Sequence, residues 1–291
     1  MKRLLLLAAF LVVVPLQAQE KLRVENDLVF GKGGGQELRL DLAVPAGPGP
    51  FPAILCVHGG GWRGGSRKLF AETLKVLAGR GYVAAAVEYR LAPDHKFPAQ
   101  IEDCKCAVRW LRANAAKYKV DPNRIGAVGF SAGGHLVCLL GLTTRADGLE
   151  GTGDLTPDAA RQSSRVQAVV SFFGPTDFTR EDWDPKVQPL ITDFLGGTLK
   201  EKPAVYAKAS PVTYVRPDKD NPPFLIFHGT QDDIVRYSHA VLLVKKLHEV
   251  KAPAELVTME GEGHGWKGEK LQESVAKTIL FFDRHLKQES P

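Results

Sequence analysis

The most informative segment of the chain is Arg124-Ile125-Gly126-Ala127-Val128-Gly129-Phe130-Ser131-Ala132-Gly133-Gly134. An apolar run ends in the pattern Gly-x-Ser-x-Gly, and small and apolar residues follow it at helical spacing as far as Leu142. This order is typical of a strand, a sharp turn and a helix that together expose a serine on the turn. Short Gly/Ser patterns also arise by chance, so the flanking strand and helix are what make Ser131 a candidate nucleophile.

On both sides of this stretch, strand and helix patterns alternate along most of the chain. Residues 22–30 and 37–44 alternate apolar and polar positions on either side of Gly33-Gly34-Gly35, which predicts an antiparallel hairpin at a sheet edge. Further strands are predicted at 52–57, 82–87, 125–130, 166–172, 224–227 and 254–259, and helices at 67–78, 98–118, 132–142, 238–249 and 270–286. The pattern predicts an α/β fold with a mainly parallel central sheet, an antiparallel N-terminal edge and helices on both faces.

Two segments interrupt this alternation. Residues 145–164 are polar and rich in Gly, Asp and Thr, and we interpret them as a surface loop. Residues Asp177 to Asn221 form a longer insertion that holds Trp183, Phe194 and Tyr206 among charges and prolines. Such an insertion is either a functional cover or a solvated excursion. We predict one catalytic domain at residues 19–291.

The N-terminus has the order of a secretory signal peptide. Lys2 and Arg3 precede an apolar run from Leu4 to Val14, and Pro15-Leu16-Gln17-Ala18 follows, with a small residue at the expected cleavage site. The apolar part is too short to span a bilayer, so we predict a signal peptide at residues 1–18, with an uncleaved anchor as the alternative. The expected location is secreted or periplasmic, with no membrane association of the mature form.

The charge balance excludes some classes of partner. Beyond residue 18 the chain keeps 36 Lys and Arg against 33 Asp and Glu, a net charge of +3. This charge is mild, and the sequence has no dense Lys/Arg block. Neither nucleic acid nor an anionic membrane surface is therefore expected as a partner. An uncharged or weakly charged small substrate fits best, and the oligomeric state stays open.

The chain has four cysteines, Cys56, Cys104, Cys106 and Cys138. Cys56 and Cys138 lie in apolar segments, where a free buried thiol is the common case. Because an exported protein meets oxidants, a bridge from Cys104 or Cys106 to Cys138 stays open. No Cys-x-x-Cys pair with matching histidines is present, so we predict no metal.

A serine nucleophile needs a histidine base within hydrogen-bond reach. His264 lies in the glycine-rich segment 261–266, between the last predicted strand and the last predicted helix. A histidine placed there can reach over the carboxyl ends of the strands, where ligands bind in open α/β sheets. His264 is therefore the predicted base, with His95 and His135 as alternatives.

The histidine needs a carboxylate that fixes its tautomer. The turn at residues 228–233 follows the strand at 224–227 and offers Asp232 and Asp233. Spacing after the strand favours Asp232. Both acids have an alternative interpretation as caps for the helix at Ser238.

A tetrahedral intermediate also needs backbone N–H groups that already point at its oxyanion. Ala132, at the start of the predicted helix, is one expected donor. His58-Gly59-Gly60-Gly61-Trp62 follows the strand at 52–57, and we predict Gly60 and Gly61 as the other donors. A phosphate-binding turn is the alternative, but no Gly-Lys-Ser/Thr follows.

With these motifs in place, the chain resembles α/β-hydrolase esterases over nearly all of its predicted mature length. The resemblance rests on HGGGW at 58–62, EYRLAP at 88–93, GFSAGG at 129–134, HGTQD at 228–232 and GHGW at 263–266. More narrowly, the chain resembles bacterial feruloyl and acetyl-xylan esterases and the carboxylesterases related to hormone-sensitive lipase. The latter group carries a helical cap before its first strands, whereas here the first strand is expected near Leu22, which favours the feruloyl/acetyl-xylan type and a more open site. In such relatives the acid near Asp103 is largely structural.

The resemblance implies a serine carboxylesterase that forms an acyl-enzyme and needs no cofactor. Small soluble esters, with acetyl or feruloyl groups of plant polysaccharide as the natural target, are the expected substrates. Trp62, Trp183 and Trp266 are candidates for the substrate pocket. A lipase or peptidase of the same fold, or a non-catalytic binding protein, remains the alternative.

Overall fold

A computed structural model describes residues 21–151, 155–217 and 220–287 of the chain. The predicted signal peptide, residues 1–18, lies outside the described residues. The strands are β1 (Arg23–Gly33), β2 (Gln36–Val44), β3 (Phe51–Val57), β4 (Val83–Val87), β5 (Val120–Phe130), β6 (Ala168–Phe172), β7 (Phe224–Gly229) and β8 (Ala254–Met259). The helices are α1 (Ala71–Gly79), α2 (Ala99–Ala113), α3 (Ala115–Tyr118), α4 (Ala132–Leu142), α5 (Pro157–Arg161), α6 (Gln188–Leu195), α7 (Pro203–Ala209), α8 (Ser238–Glu249) and α9 (Gly268–Phe282). Short 3₁₀ turns lie at Arg67–Phe70, Arg145–Asp147 and Pro211–Tyr214, and a π-helical turn follows at Asp283–Lys287.

The strands of the described chain form one sheet in the order β1-β2-β4-β3-β5-β6-β7-β8. β2 runs antiparallel to both of its neighbours, β1 and β4. The remaining neighbours pair in parallel. The predicted fold class is confirmed, including the hairpin at the N-terminal edge.

Helices cover both faces of the sheet, as predicted. Successive side chains of a strand point to opposite faces, and β3 shows this directly. Leu55 and Val57 belong to the cluster under α2, α4 and α8, whereas Ile54 and Cys56 belong to the cluster under α1 and α9. The continuous apolar run of β3 is therefore buried from both sides, as expected for a central strand of a parallel sheet.

The chain changes direction across the sheet between β4 and β5. β4 pairs with one edge of β3, and β5 pairs with the other edge. Val57, at the end of β3, lies opposite Gly129, near the end of β5. The segments that follow these two strands therefore meet at the carboxyl edge of the sheet, at the kind of switch point where ligands bind in such folds.

Two predicted segments differ in the structure. The predicted helix at 98–118 is divided at Asn114 into α2 and α3. The segment 145–164, interpreted as a surface loop, contains a 3₁₀ turn and α5 and carries a partly buried acid, Glu150. Most described residues of this segment lie at the surface, but the sequence did not predict the pairing of Glu150, because its cations lie on α2, far away along the chain.

The insertion at 177–221 is a packed cover and not a solvated excursion. It folds into α6, α7 and the Pro211–Tyr214 turn, apart from residues 218 and 219, which lie outside the described ranges. Phe178, Phe194 and Tyr206 are buried and join the core cluster on the α4 side of the sheet. The insertion therefore adds an apolar layer over that face.

The structure contradicts the open possibility of a bridge from Cys104 or Cys106 to Cys138. All four cysteines are free and buried. Burial raises the pKa of the Cys106 and Cys138 thiols to about 12. A thiol that stays protonated is a poor nucleophile and a poor metal ligand, so these side chains act as small apolar residues.

Within residues 21–151, 155–217 and 220–287, no helix has the length and apolar character that a bilayer crossing requires. The same ranges contain no group of three or more His, Cys, Asp or Glu side chains placed to hold a metal ion.

Glu150 supplies a test of the fold. It accepts a hydrogen bond from Lys105 Nζ at 2.7 Å and also pairs with Arg109, and the Lys105 side chain is fully buried. We expect Glu150→Gln to lower the free energy of unfolding by about 2–4 kcal/mol, because it leaves buried cations without their carboxylate. Glu72→Gln, which breaks the exposed pair with Lys75, should cost less than about 0.5 kcal/mol. Urea unfolding checks both values, and equal midpoints for the two variants would contradict this account.

Candidate active site

Ser131 occupies the turn between β5 and α4. Its backbone conformation, with φ 53° and ψ −118°, is one that residues other than glycine rarely adopt. Its N–H donates to the Phe172 carbonyl oxygen at 2.9 Å. The flanking glycines are required by close backbone contacts. A Cβ on Gly129 would lie 2.3 Å from the Gly133 carbonyl oxygen, and one on Gly133 would lie 2.1 Å from that of Val57. The sequence predicted this strained turn, and the structure shows the neighbours that enforce it.

His264 lies on the loop between β8 and α9 and contacts both predicted partners. Its Nε2 is 2.8 Å from Ser131 Oγ, and its Nδ1 is 2.8 Å from Asp232 Oδ2. The loop can come this close because β7 ends in Gly229, where a Cβ would lie 2.2 Å from the Glu262 carbonyl oxygen. The three side chains therefore form one hydrogen-bonded row, in which the imidazole lies between a hydroxyl and a carboxylate.

Asp232, and not Asp233, is the acid in this row. The Asp232 side chain is fully buried, whereas Asp233 is exposed. Asp232 Oδ1 accepts hydrogen bonds from the Ile234 and Val235 amides at 3.0 Å and 2.8 Å. Burial alone would raise the pKa of this carboxyl, but the hydrogen bonds from His228, His264 and the Val235 amide outweigh burial and hold the pKa well below its usual range. The Asp232 carboxylate therefore stays ionised and accepts a hydrogen bond from His264 Nδ1, which keeps the hydrogen on that nitrogen.

His228 is a residue of this site whose role the sequence reasoning missed. Its Nε2 donates to the Val235 carbonyl oxygen at 2.7 Å and lies 3.3 Å from Asp232 Oδ2. The ring is fully buried, and among the described residues its Nδ1 has no partner. Its position at the start of the HGTQD motif was the available signal, because a polar residue at the end of a buried strand must find a partner nearby.

The predicted oxyanion segment lies beside the serine. A Cβ on Gly59 would lie 3.3 Å from Ser131 Cβ, so the two segments are in van der Waals contact. Gly60 and Gly61 have φ of 113° and 58°, which side chains disfavour. Within the described ranges, the amides of Gly60, Gly61 and Ala132 have no acceptor in the protein. These N–H groups are thus available to a negatively charged oxygen.

The three tryptophans proposed for the substrate pocket are buried, each at 9% exposure or less. Trp62 stacks on Phe194 at 4.2 Å between ring centres. Trp183 stacks on Phe178 at 5.6 Å, and Trp266 Nε1 donates to Ser274 Oγ at 2.8 Å. Each indole therefore has a structural partner in the core, and membership of the pocket remains a prediction for all three.

Two other apolar side chains lie next to the functional groups, and the sequence reasoning did not single them out. The ring centre of Phe173 is 4.6 Å from that of His264. Leu190 on α6 is half-buried, and a Cβ on Gly61 would lie 3.3 Å from its Cδ1. Phe173 carries a φ of 40°, which no sequence pattern announced. Leu190 belongs to the insertion, whose placement depends on tertiary packing.

Asp103 pairs with Arg90 of the EYRLAP motif and lies outside the row. Its carboxylate accepts from the Arg90 amide at 2.8 Å and from the guanidinium Nη2 at 2.8 Å. This ion pair joins α2 to the segment after β4. The structural role expected for the acid agrees with this contact.

A family model described as BD-FAE matches residues 40–247. The chain belongs to the BD-FAE family. The matched region contains Ser131, Asp232 and the glycine segment, and it ends before the loop of His264.

Relatives of this BD-FAE protein include named esterases. Esterase LipC of Mycobacterium tuberculosis is 36% identical over 227 residues, which cover 75% of this chain and 53% of LipC. The chain spans about half the length of the curated relatives it matches.

Among solved structures, a truncated carbohydrate esterase from gut microbiota has a TM-score of 0.79 at 25% identity and covers 94% of this chain and 99% of its own. The native esterase Est2 of Thermogutta terrifontis has a TM-score of 0.74 at 27% identity and covers 95% and 97% of the two chains. The fold of these esterases is thus shared along nearly the whole described chain.

The close contacts of Gly133 predict that two glycine-to-alanine substitutions change stability in opposite directions. Alanine favours a helix over glycine, so Gly79→Ala at the exposed end of α1, where a Cβ meets nothing within 4 Å, should stabilise the protein by about 0.5 kcal/mol. Gly133→Ala places the same methyl group 2.1 Å from the Val57 carbonyl oxygen and should destabilise it by about 1–3 kcal/mol. Thermal unfolding of both variants measures the difference. Stabilisation by Gly133→Ala would show that the close approach is not a constraint.

Proposed function

We propose that this BD-FAE protein is a secreted or periplasmic serine carboxylesterase that acts on small soluble esters through an acyl-enzyme. The observation that carries the proposal is the row of two 2.8 Å contacts from Ser131 through His264 to Asp232. A buried carboxylate, an oriented imidazole and a strained serine in this order are the parts that acyl transfer requires. The named esterases among its relatives support the same reaction class.

In the proposed first step, Ser131 Oγ attacks the carbonyl carbon of the ester and gives its proton to His264 Nε2. The electron pair of the C=O π bond moves onto the carbonyl oxygen of the ester, which becomes an oxyanion that the free amides of Gly60, Gly61 and Ala132 stabilise. Asp232 holds the Nδ1–H and stabilises the imidazolium without taking the proton. Collapse of the intermediate breaks the bond to the alcohol oxygen, which receives the proton from His264.

In the second step, water attacks the acyl-enzyme and gives its proton to His264. Collapse of the second tetrahedral intermediate breaks the bond to Ser131 Oγ, which recovers its proton, and releases the carboxylic acid. The chain's own residues supply every proton transfer in this cycle. A cation is not required to balance charge, because the imidazolium and the oxyanion form and disappear together.

The proposed natural substrates are acetyl or feruloyl esters of plant polysaccharide. The likeness to a carbohydrate esterase from gut microbiota supports a carbohydrate ester. Est2 of Thermogutta terrifontis has been solved with butyrate and with propionate bound, which supports short acyl groups. The Lys-Arg-apolar order of residues 1–18 supports export to a compartment where such polymers occur.

Ser131→Ala tests the reaction class. The wild type should hydrolyse p-nitrophenyl acetate and butyrate, methyl ferulate and acetylated xylan, with long-chain esters as poor substrates. Loss of the nucleophile should lower kcat by about 10⁴-fold or more on every substrate. Stopped assays of released acid or phenol measure this. Ester hydrolysis that survives in Ser131→Ala would refute the mechanism.

The acid assignment is tested by a pair of neighbouring variants. Asp232→Asn should lower kcat by about 10³–10⁴-fold, because an amide no longer holds the correct histidine tautomer. Asp233→Asn changes the same charge on an exposed side chain and should keep kcat within about two-fold. Steady-state kinetics on p-nitrophenyl acetate compare them. The reverse ranking would assign the acid role to Asp233.

A further inference from the structure

The oxyanion segment is held in an unfavourable backbone conformation. Gly60 and Gly61 have positive φ, and so does Trp62, at 57°. A residue with a side chain in this region costs about 1–2 kcal/mol and persists only where its surroundings enforce it. Gly60 and Gly61 have no side chains, so the side-chain contacts that hold this segment in its conformation must come from Trp62.

The Trp62 indole is fixed by a hydrogen bond to a histidine on the nucleophile helix. Trp62 Nε1 donates to His135 Nδ1 at 3.2 Å. His135 lies one helical turn after Ser131 on α4, and its own amide donates to the Ser131 carbonyl oxygen at 3.0 Å. One imidazole thus links the helix that presents the nucleophile to the segment that presents the oxyanion donors.

The tautomer of His135 follows from its two partners. The indole N–H can only donate, so Nδ1 must carry a lone pair. Nε2 lies 2.8 Å from the Ala209 carbonyl oxygen, which can only accept, so Nε2 carries the hydrogen. The ring is fully buried, and burial lowers its pKa to about 4, which keeps it neutral at pH 7. Both nitrogens are satisfied by a neutral ring and could not both be satisfied by a charged one.

The insertion completes the support from the other side. Phe194 of α6 stacks on Trp62 at 4.2 Å with an angle of 7° between the rings. Asp193, next to it, pairs with Arg63 at 3.2 Å. Ala209, which accepts from His135, is the last residue of α7. Helices of the insertion therefore contact Trp62, its neighbour Arg63 and its hydrogen-bond partner His135.

We infer that His135 is a positioning residue for the oxyanion hole, holding Trp62 and through it the Gly60 and Gly61 amides in place. The inference rests on the proposed esterase function and adds to it a residue that touches no reacting atom. Without this hydrogen bond the strained segment relaxes, and the amides lose their aim at the developing oxyanion. Removal of one whole oxyanion donor costs about 10²–10³-fold in kcat, so a displaced segment should cost about 10–100-fold.

The test compares three variants. His135→Phe keeps the ring and removes both hydrogen bonds. His135→Asn keeps an acceptor at the position of Nδ1. His239→Phe is the matched control, because His239 is also buried at 1% exposure, also has its pKa lowered to about 4 by burial, and packs against a different indole, Trp183. A loss of stability that follows from replacing any buried histidine should appear in both phenylalanine variants. A displaced oxyanion hole should appear only in His135→Phe.

On p-nitrophenyl acetate, and at matched folded fractions, His135→Phe should lower kcat by about 10–100-fold with KM within about two-fold, since the oxyanion forms only in the transition state. His135→Asn should recover most of kcat, and His239→Phe should stay near wild type. Equal kcat for the two phenylalanine variants, or a change confined to KM, would overturn the inference. Should His135→Phe fail to fold, Trp62→Phe removes the N–H donor of the same hydrogen bond, together with part of the ring that stacks on Phe194, and is judged by the same values.

A second readout does not depend on turnover. Hydrogen exchange of the amides at residues 59–65 should be faster in His135→Phe than in His239→Phe, because the segment loses its anchor. Equal exchange in the two variants would overturn the inference. A wild type that hydrolyses no ester would refute the proposed function, and the exchange comparison would then decide the positioning role alone.

Discussion

The close contact between the start of α4 and the end of β3 is the constraint on which the rest of the site depends. Gly133 lies so near the Val57 carbonyl oxygen that a Cβ would be 2.1 Å from it, and Gly59 lies against Ser131. This approach puts free amides beside the serine. It is possible only because β3 and β5 are neighbours in the sheet, with β4 on the far side. The proposed chemistry therefore depends on both the order of the strands and the positions of the glycines.

The contacts around Asp232 also determine its charge. Asp232 is buried, which by itself disfavours a charge, yet histidine rings and backbone amides surround the carboxylate and outweigh burial. An ionised and immobile carboxylate then fixes the imidazole through Nδ1 and leaves Nε2 for Ser131. The geometry of the row thus originates in the tight turn after β7, and Gly229 makes room for the histidine loop.

The insertion has a role that extends beyond covering the sheet. Its aromatic side chains bury Trp62, and its α6 helix pairs with Arg63 beside the glycine segment. Trp62 and the buried, neutral His135 therefore belong to the support of the site. Support of this kind is costly to lose, because a buried ring nitrogen without its partner is left unsatisfied.

From the sequence alone we could predict the fold class, most strand and helix positions, and Ser131, Asp232 and His264 as the catalytic candidates. These features depend on short-range patterns: alternation within a strand, helical spacing and glycines at sharp turns. The burial of the tryptophans, the free state of the cysteines, the pairing of Glu150 with α2 and the hydrogen bond from Trp62 to His135 became visible only in the folded structure. Each of these depends on a partner far away in the chain, and a partner at that distance leaves no local pattern to detect.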